Sequence, residues 1–114
     1  MKNSTAESIR QPAVAGRFYP AQPDKLRRMV DSFMESAKVS ARGKPKAVIA
    51  PHAGYAYSGP IAASAFVHFA EERGVIQRII LLGPSHRFAF DGIALSHAEV
   101  FACRAAWCRW TGPR

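Results

Sequence analysis

Ala47-Val48-Ile49-Ala50-Pro51-His52-Ala53-Gly54-Tyr55-Ala56-Tyr57-Ser58-Gly59-Pro60 and, after a helical span, Arg78-Ile79-Ile80-Leu81-Leu82-Gly83-Pro84-Ser85-His86 are the stretches that decide the fold. Ala47–Ala50 and Arg78–Leu82 are short apolar runs stopped by Pro51 and by Gly83-Pro84, the pattern of strands covered on both faces. Between them, Ser58 or Gly59 serves as the cap of a helix whose first turn accepts Pro60. Ile61, Ala62, Ala65, Phe66 and Phe69 form its packing stripe, and Gly74 ends it. Strand, helix, strand predicts a β-α-β unit with parallel strands and a right-handed crossover. The fold class is therefore α/β, built on a partial, mostly parallel sheet.

Working outward, Leu26, Met29, Val30, Phe33 and Met34 recur at three- and four-residue steps from Asp24, its expected N-cap, and predict a helix with one buried face. Gln11–Pro23 carries three prolines around Ala15-Gly16-Arg17-Phe18-Tyr19 and is an extended or turning segment. Ser40–Lys46 is the exit loop of the helix. Met1–Arg10 reads as a loose polar leader. Downstream, the alternation Ile93, Leu95, His97 predicts a third strand, with His97 closing the core at its end.

Open parallel sheets bind ligands beyond the carboxyl ends of their strands, and His52 and His86 each fall just past such an end. Neighbouring strands lie about 4.8 Å apart, so two imidazoles at equivalent positions can reach one metal ion at roughly 2 Å from each nitrogen. The alternative is two unrelated loop histidines bonded to nearby backbone. Tyr55 and Tyr57 share the glycine-rich loop with His52, and either donate hydroxyls to a ligand or pack with satisfied hydroxyls. His68 reads as a histidine at the solvent boundary of the crossover helix, and Ser58 as a cap instead of a nucleophile. The sequence holds neither a G-x-S-x-G elbow nor a phosphate-cradling P-loop.

Composition narrows the class further. A chain of 114 residues with 48% hydrophobic and 21% charged residues is one domain's worth of ordinary globular sequence, which excludes wholesale disorder. No apolar run approaches the roughly 18 residues of a bilayer span, and Met1–Arg10 lacks the core of a secretory signal, so no membrane partner is expected and the expected location is cytoplasmic. The net charge of +8 points toward phosphate-rich partners, yet Arg104, Arg109 and Arg114 crowd the last dozen residues and no basic stripe is interleaved with aromatics. Nucleic acid is thus not the expected partner. Cys103 and Cys108 have neither redox-pair nor zinc-knuckle spacing and read as reduced, incidental thiols.

Three motifs in order carry a family resemblance. Pro12-Ala13-Val14-Ala15-Gly16-Arg17-Phe18-Tyr19-Pro20, then Ala50-Pro51-His52-Ala53-Gly54-Tyr55-Ala56-Tyr57-Ser58-Gly59-Pro60-Ile61-Ala62-Ala63, then Leu82-Gly83-Pro84-Ser85-His86 together resemble the Memo family, which appears in bacteria and archaea as protein B of the AmmeMemoRadiSam system. The resemblance spans Ile9 to about Phe101, so that 11–101 is expected to be the N-terminal part of a Memo-like domain covering about a third of a family member. It implies a sandwich similar to the class III extradiol dioxygenases, here truncated. It also implies His52 and His86 as metal ligands, Phe18 and Tyr55 as shapers of the substrate pocket, and iron or copper as the cofactor. The implied activity is a metal-dependent redox or dioxygenase-like reaction on a small molecule or peptide. A functional link to a radical SAM protein and an AMMECR-type protein follows from the same resemblance. The competing reading is a non-catalytic module that holds an anionic peptide or small ligand in the same crevice.

The departures carry expectations of their own. Family members complete the site with a further histidine and a cysteine downstream of anything present here. Two imidazoles leave a divalent ion mostly hydrated, so weak affinity and an inactive fragment are expected. Residues 102–114 match no family motif. Displaced by two nucleotides, GC-rich codons for Ala105–Thr111 can spell the valine-rich, aspartate-ending stretch of the family, which predicts a frameshift near Ala102.

Overall fold

The structure, a computed structural model, describes residues 8–39, 43–72, 74–104 and 107–109. Pro23 opens α1 (Pro23–Ser36), with Gln22 as its N-cap. Proline suits this first helical position because its ring presets φ and no N–H is needed there. Asp24, the expected cap, lies instead one residue inside the helix, where its carboxylate faces the positive end of the helix dipole. The periodic residues behave as expected: Leu26 is buried, and Met29, Val30, Phe33 and Met34 are half-buried.

The second helix, α2 (Tyr55–Phe66), starts from Gly54, four residues ahead of Ser58, and runs on as a 3-10 turn over Val67–Glu72. Its buried residues are Ser58, Gly59 and Ala63, whereas Ile61 and Phe66 of the expected stripe are exposed. The reason is the contact with α1. The Phe33 ring presses so closely on Gly59 that an added Cβ would sit 2.8 Å from Phe33 Cδ2 and 2.9 Å from Cζ. Only the small-residue face of α2 permits that approach. Pro60 falls inside the helix and removes one rung of its ladder. Past the 3-10 turn, Gly74 takes φ +84°, a left-handed value that ends the helical segment. Lys44 pairs with the buried carboxylate of Glu72, which ties the loop before the first apolar run to the end of the helical segment.

The sheet is small: β1 (Ile9–Arg10), β2 (Val100–Ala102) and β3 (Trp107–Arg109), in that order. β1 pairs with β2 in parallel, Ile9 opposite Val100 and Arg10 opposite Phe101. β3 pairs antiparallel to β2. Ser8 reinforces the parallel edge. Its Oγ donates to the carbonyl of His97 (3.1 Å), its N–H to Glu99 Oε2 (3.2 Å), and its own carbonyl accepts from Glu99 N–H (2.9 Å). The last residues of the expected leader are thus held in the sheet, while residues 1–7 lie outside the described set.

The architecture is α/β with a parallel strand pair, but the expected β-α-β unit is absent among the described residues. Neither Ala47–Ala50 nor Arg78–Leu82 enters a ladder. The third strand forms at Val100–Ala102 instead of over Ile93–His97, and His97 is exposed and contributes only its carbonyl. A strand of continuous Ile and Leu is stable only with neighbours at its edges and cover on its faces, and the described residues supply neither. Ile49 is 99% exposed, Ile80 86% and Leu81 84%. The buried apolar core comprises Leu26, Ala63 and Val100 among the described residues. The radius of gyration, 16.3 Å, accordingly exceeds the roughly 13 Å of a compact chain this long. No helix among the described residues is long and apolar enough to cross a membrane.

Candidate functional site

Two short turns aim the histidines. His52 follows Pro51 and precedes Gly54, the residue from which α2 springs, and Ser58 Oγ donates to the Ala53 carbonyl (2.9 Å), pinning the residue next to His52. His86 lies in a bend closed by its neighbour: Ser85 Oγ donates to the Phe88 carbonyl (2.6 Å) and accepts the Phe88 N–H (3.3 Å). These local bonds bring the two rings together although the strands before them do not pair. His52 Nε2 lies 3.0 Å from His86 Nε2, with ring centroids 5.2 Å apart and planes inclined at 49°. Both residues are exposed, so the pair opens to solvent.

That separation has two chemical uses. It suits an Nε2–H donating to an unprotonated Nε2, one ring carrying its proton on Nε2 and the other on Nδ1. It is also the chord between two donors each about 2.1 Å from one ion, subtending about 90°, the cis angle of an octahedral site. The donor set therefore fits an imidazole-binding divalent metal. Among the described residues no third histidine, cysteine, aspartate or glutamate joins the pair.

Phe18 and Tyr55 form a second pair. The turn Val14–Tyr19 is closed by bonds from Arg17 N–H and Phe18 N–H to the Val14 carbonyl, with Gly16 at φ +81°. Tyr55 N–H, at the half-buried start of α2, then donates to the Phe18 carbonyl at 2.7 Å. The Phe18 side chain is 44% exposed. The Tyr55 ring lies against Tyr19, centroids 5.5 Å apart, and burial first, then Tyr19 and Cys103, raises its phenol above the ordinary value. Tyr55 is thus held as a neutral hydroxyl. Among the described residues no hydrogen bond or ring contact joins this pair to the imidazoles, although Tyr55 is only three residues from His52. Tyr57 is largely exposed.

Tyr55 instead lines a cleft of about 300 Å³ with Tyr19, Leu26, Arg27, Val30, Asp31, Cys103 and Arg104. Tyr19 is the residue that the sequence reading missed. Side chains alternate faces in extended strands but not in a tight turn, so the sequence carried no rule for where Tyr19 points. His68 is half-buried on the 3-10 turn, as a boundary histidine should be.

Comparison with known proteins places these motifs. The family described as Memo-like protein matches residues 10–103. A MEMO1 family protein of Sulfolobus acidocaldarius is 43% identical over 100 residues, covering 78% of this chain and 35% of its own. A MEMO1 family protein of Ignicoccus hospitalis is 41% identical over 87 residues (68% and 30%), and Protein MEMO1 of Xenopus laevis is 37% identical over 98 (86% and 32%). The chain spans about a third of the length of the curated relatives it matches. No solved structure matches it.

Proposed function

The chain belongs to the Memo family, and from that premise we propose that it carries the first two ligands of a divalent metal centre, His52 and His86, for a metal-dependent redox or dioxygenase-like protein. The observation that supports this is the 3.0 Å approach of the two Nε2 atoms, from turns 34 residues apart in sequence. Imidazole accepts iron and copper as readily as zinc or nickel, and the family resemblance is what points to iron or copper. When bound, the metal supplies Lewis-acid and one-electron chemistry at the positions that two imidazoles leave open.

The rest is done by the chain's own groups. In the paired state one ring holds its proton on Nε2; to ligate, that ring moves the proton to Nδ1 through solvent, which both exposed rings permit. Ser58 and Ser85 keep the two turns, and with them the two rings, in place before any ion arrives. Tyr55, protonated at neutral pH, is a hydrogen-bond donor close to the site in sequence, and Phe18 an apolar wall beside it. The complete sheet of the class III extradiol dioxygenase type belongs to this proposal, as do the ligands that finish the coordination shell. The 114-residue chain alone binds metal weakly and does not turn over.

Copper(II) titration of the chain, followed by electron paramagnetic resonance, tests the assignment. Hyperfine coupling from two nitrogens is expected, falling to one in His52→Ala or His86→Ala. The same spectrum and affinity in the double variant would dismiss the proposed centre. A second reading, a binding module without chemistry, draws support from a cleft other than the expected histidine crevice, the one flanked by Arg27 and Arg104 and also by Asp31. Oxygen consumption by a family-length protein bearing these motifs separates the two, since a pure binder consumes none.

A further inference from the structure

Four parts of the chain converge on the cleft beside Tyr55: α1, the Val14–Tyr19 turn, the start of α2 and the residues just past β2. Neither His52 nor His86 lines it. Its floor is apolar. Leu26 is buried, Val30 is half-buried one helical turn on, and the tilted Tyr19–Tyr55 ring pair completes the apolar lining. Its rim is charged. Arg27 and Asp31 stand one turn apart on α1, and Arg104 comes from beyond β2. All three are exposed, and among the described residues none of their side chains has a hydrogen bond or an ion pair. At about 300 Å³ the cleft is at the small end of ligand pockets, with room for one small molecule and not for a peptide segment.

We infer that this cleft binds a free apolar α-amino acid, with the ligand's side chain on Leu26, Val30 and the tyrosine rings, its carboxylate at Arg27 and Arg104, and its ammonium at Asp31. The amino-acid site rests on the binding-module reading of the cleft, and not on the metal centre. Charge decides the ligand. Residues four apart on a helix have Cβ atoms about 5–6 Å apart, so Arg27 and Asp31 can reach two opposite charges carried on one carbon, as an α-amino acid carries them. Guanidinium presents paired N–H donors in the geometry a carboxylate accepts. Other small ligands match less of the rim. A dianion such as a phosphate is repelled by Asp31, an amine without a carboxylate meets two guanidiniums, and a carboxylate without an amine leaves Asp31 opposed to it. An uncharged apolar molecule would take water from the rim charges and give them nothing in return.

Saturation-transfer NMR on the 114-residue chain without added metal tests this with four probes. They are L-phenylalanine, 3-phenylpropionate (the same skeleton without the ammonium), phenethylamine (without the carboxylate) and phenyl phosphate. L-Phenylalanine should bind about fivefold tighter than each of the other three, the scale of one exposed charge pair. Asp31→Asn should erase its advantage over 3-phenylpropionate, and Arg27→Gln its advantage over phenethylamine. Arg28→Gln, one residue along α1 and outside the cleft, should change neither. All three substitutions are at exposed helical positions, so circular dichroism should match the parent chain and a loss of binding is not a loss of folding. The His52→Ala/His86→Ala variant should bind L-phenylalanine as the parent does, which places the ligand in this cleft and not between the imidazoles. If 3-phenylpropionate or phenyl phosphate binds as tightly as L-phenylalanine, the amino-acid site is overturned while the binding-module reading stands. Binding of none of the four overturns the site and removes the support the cleft gives that reading. An L-phenylalanine affinity that survives both Asp31→Asn and Arg27→Gln, or that is lost with the histidines, also overturns it.

Discussion

Gly59→Ala is the sharpest probe of how the two helices meet. In a helix interior the change alone is favourable by about 0.5–1 kcal/mol, because alanine loses less backbone freedom. Here the new methyl would meet Phe33 Cδ2 at 2.8 Å and Cζ at 2.9 Å, well inside van der Waals contact. Forcing extra volume into a packed contact costs about 1–3 kcal/mol, so overpacking wins and the variant should be destabilised by about 1 kcal/mol. In a Phe33→Ala background none of the clashing side-chain atoms remains, and the same substitution should become stabilising by about 0.5–1 kcal/mol. The sign change is the diagnostic, a coupling of about 1.5–2 kcal/mol between residues on different helices. Urea unfolding of the four proteins, followed by far-ultraviolet circular dichroism, measures it. If Gly59→Ala stabilises both backgrounds equally, the helices do not touch at this point and the account of α2's buried face is wrong.

Other outcomes follow from the same contacts. Burial raises the Tyr55 phenol above its ordinary 10.0, so the stability linked to its neutral form is complete below pH 10 and drains away as pH climbs through the higher folded-state value. Alkaline absorbance titration of a Tyr19→Phe/Tyr57→Phe protein, native and in urea, should show the native phenolate appearing later. Glu72 raises Lys44 above 10.5 through a hydrogen bond and then through its charge, so Lys44→Met should weaken the fold at neutral pH in low salt. That difference should shrink in high salt and close at strongly alkaline pH. Ser85→Ala removes both bonds that close the turn holding His86, and should lower copper affinity several-fold while leaving helix content unchanged.

What the sequence could disclose was whatever depends on near neighbours. The α1 stripe is local, so Leu26, Met29, Val30 and Phe33 announced it. The histidine pair was also legible, though for a reason other than the one offered: the short turns around Pro51-His52 and Ser85-His86 carry it, and strand pairing does not. The face of α2 was not legible, because it is chosen by Phe33 on another helix; hydrophobicity favoured Ile61 and Phe66, and steric fit favoured Gly59. Nor was the sheet. Ile79–Leu82 has the composition of a buried strand, but pairing belongs to two segments together, and no described residue pairs with this one. A two-residue strand such as Ile9–Arg10 offers no periodicity to read.

The union of Ile9 with Val100 has a kinetic consequence. It joins positions 91 residues apart, and closing so long a loop costs about 4 kcal/mol of chain entropy before any other contribution. A ladder of two residues, helped by Ser8, is a slender return on that. The clasp should therefore fasten after the helices have met and be the earliest of the described elements to let go, which makes the segment around Ser8–Arg10 the first of the described segments a protease would cut.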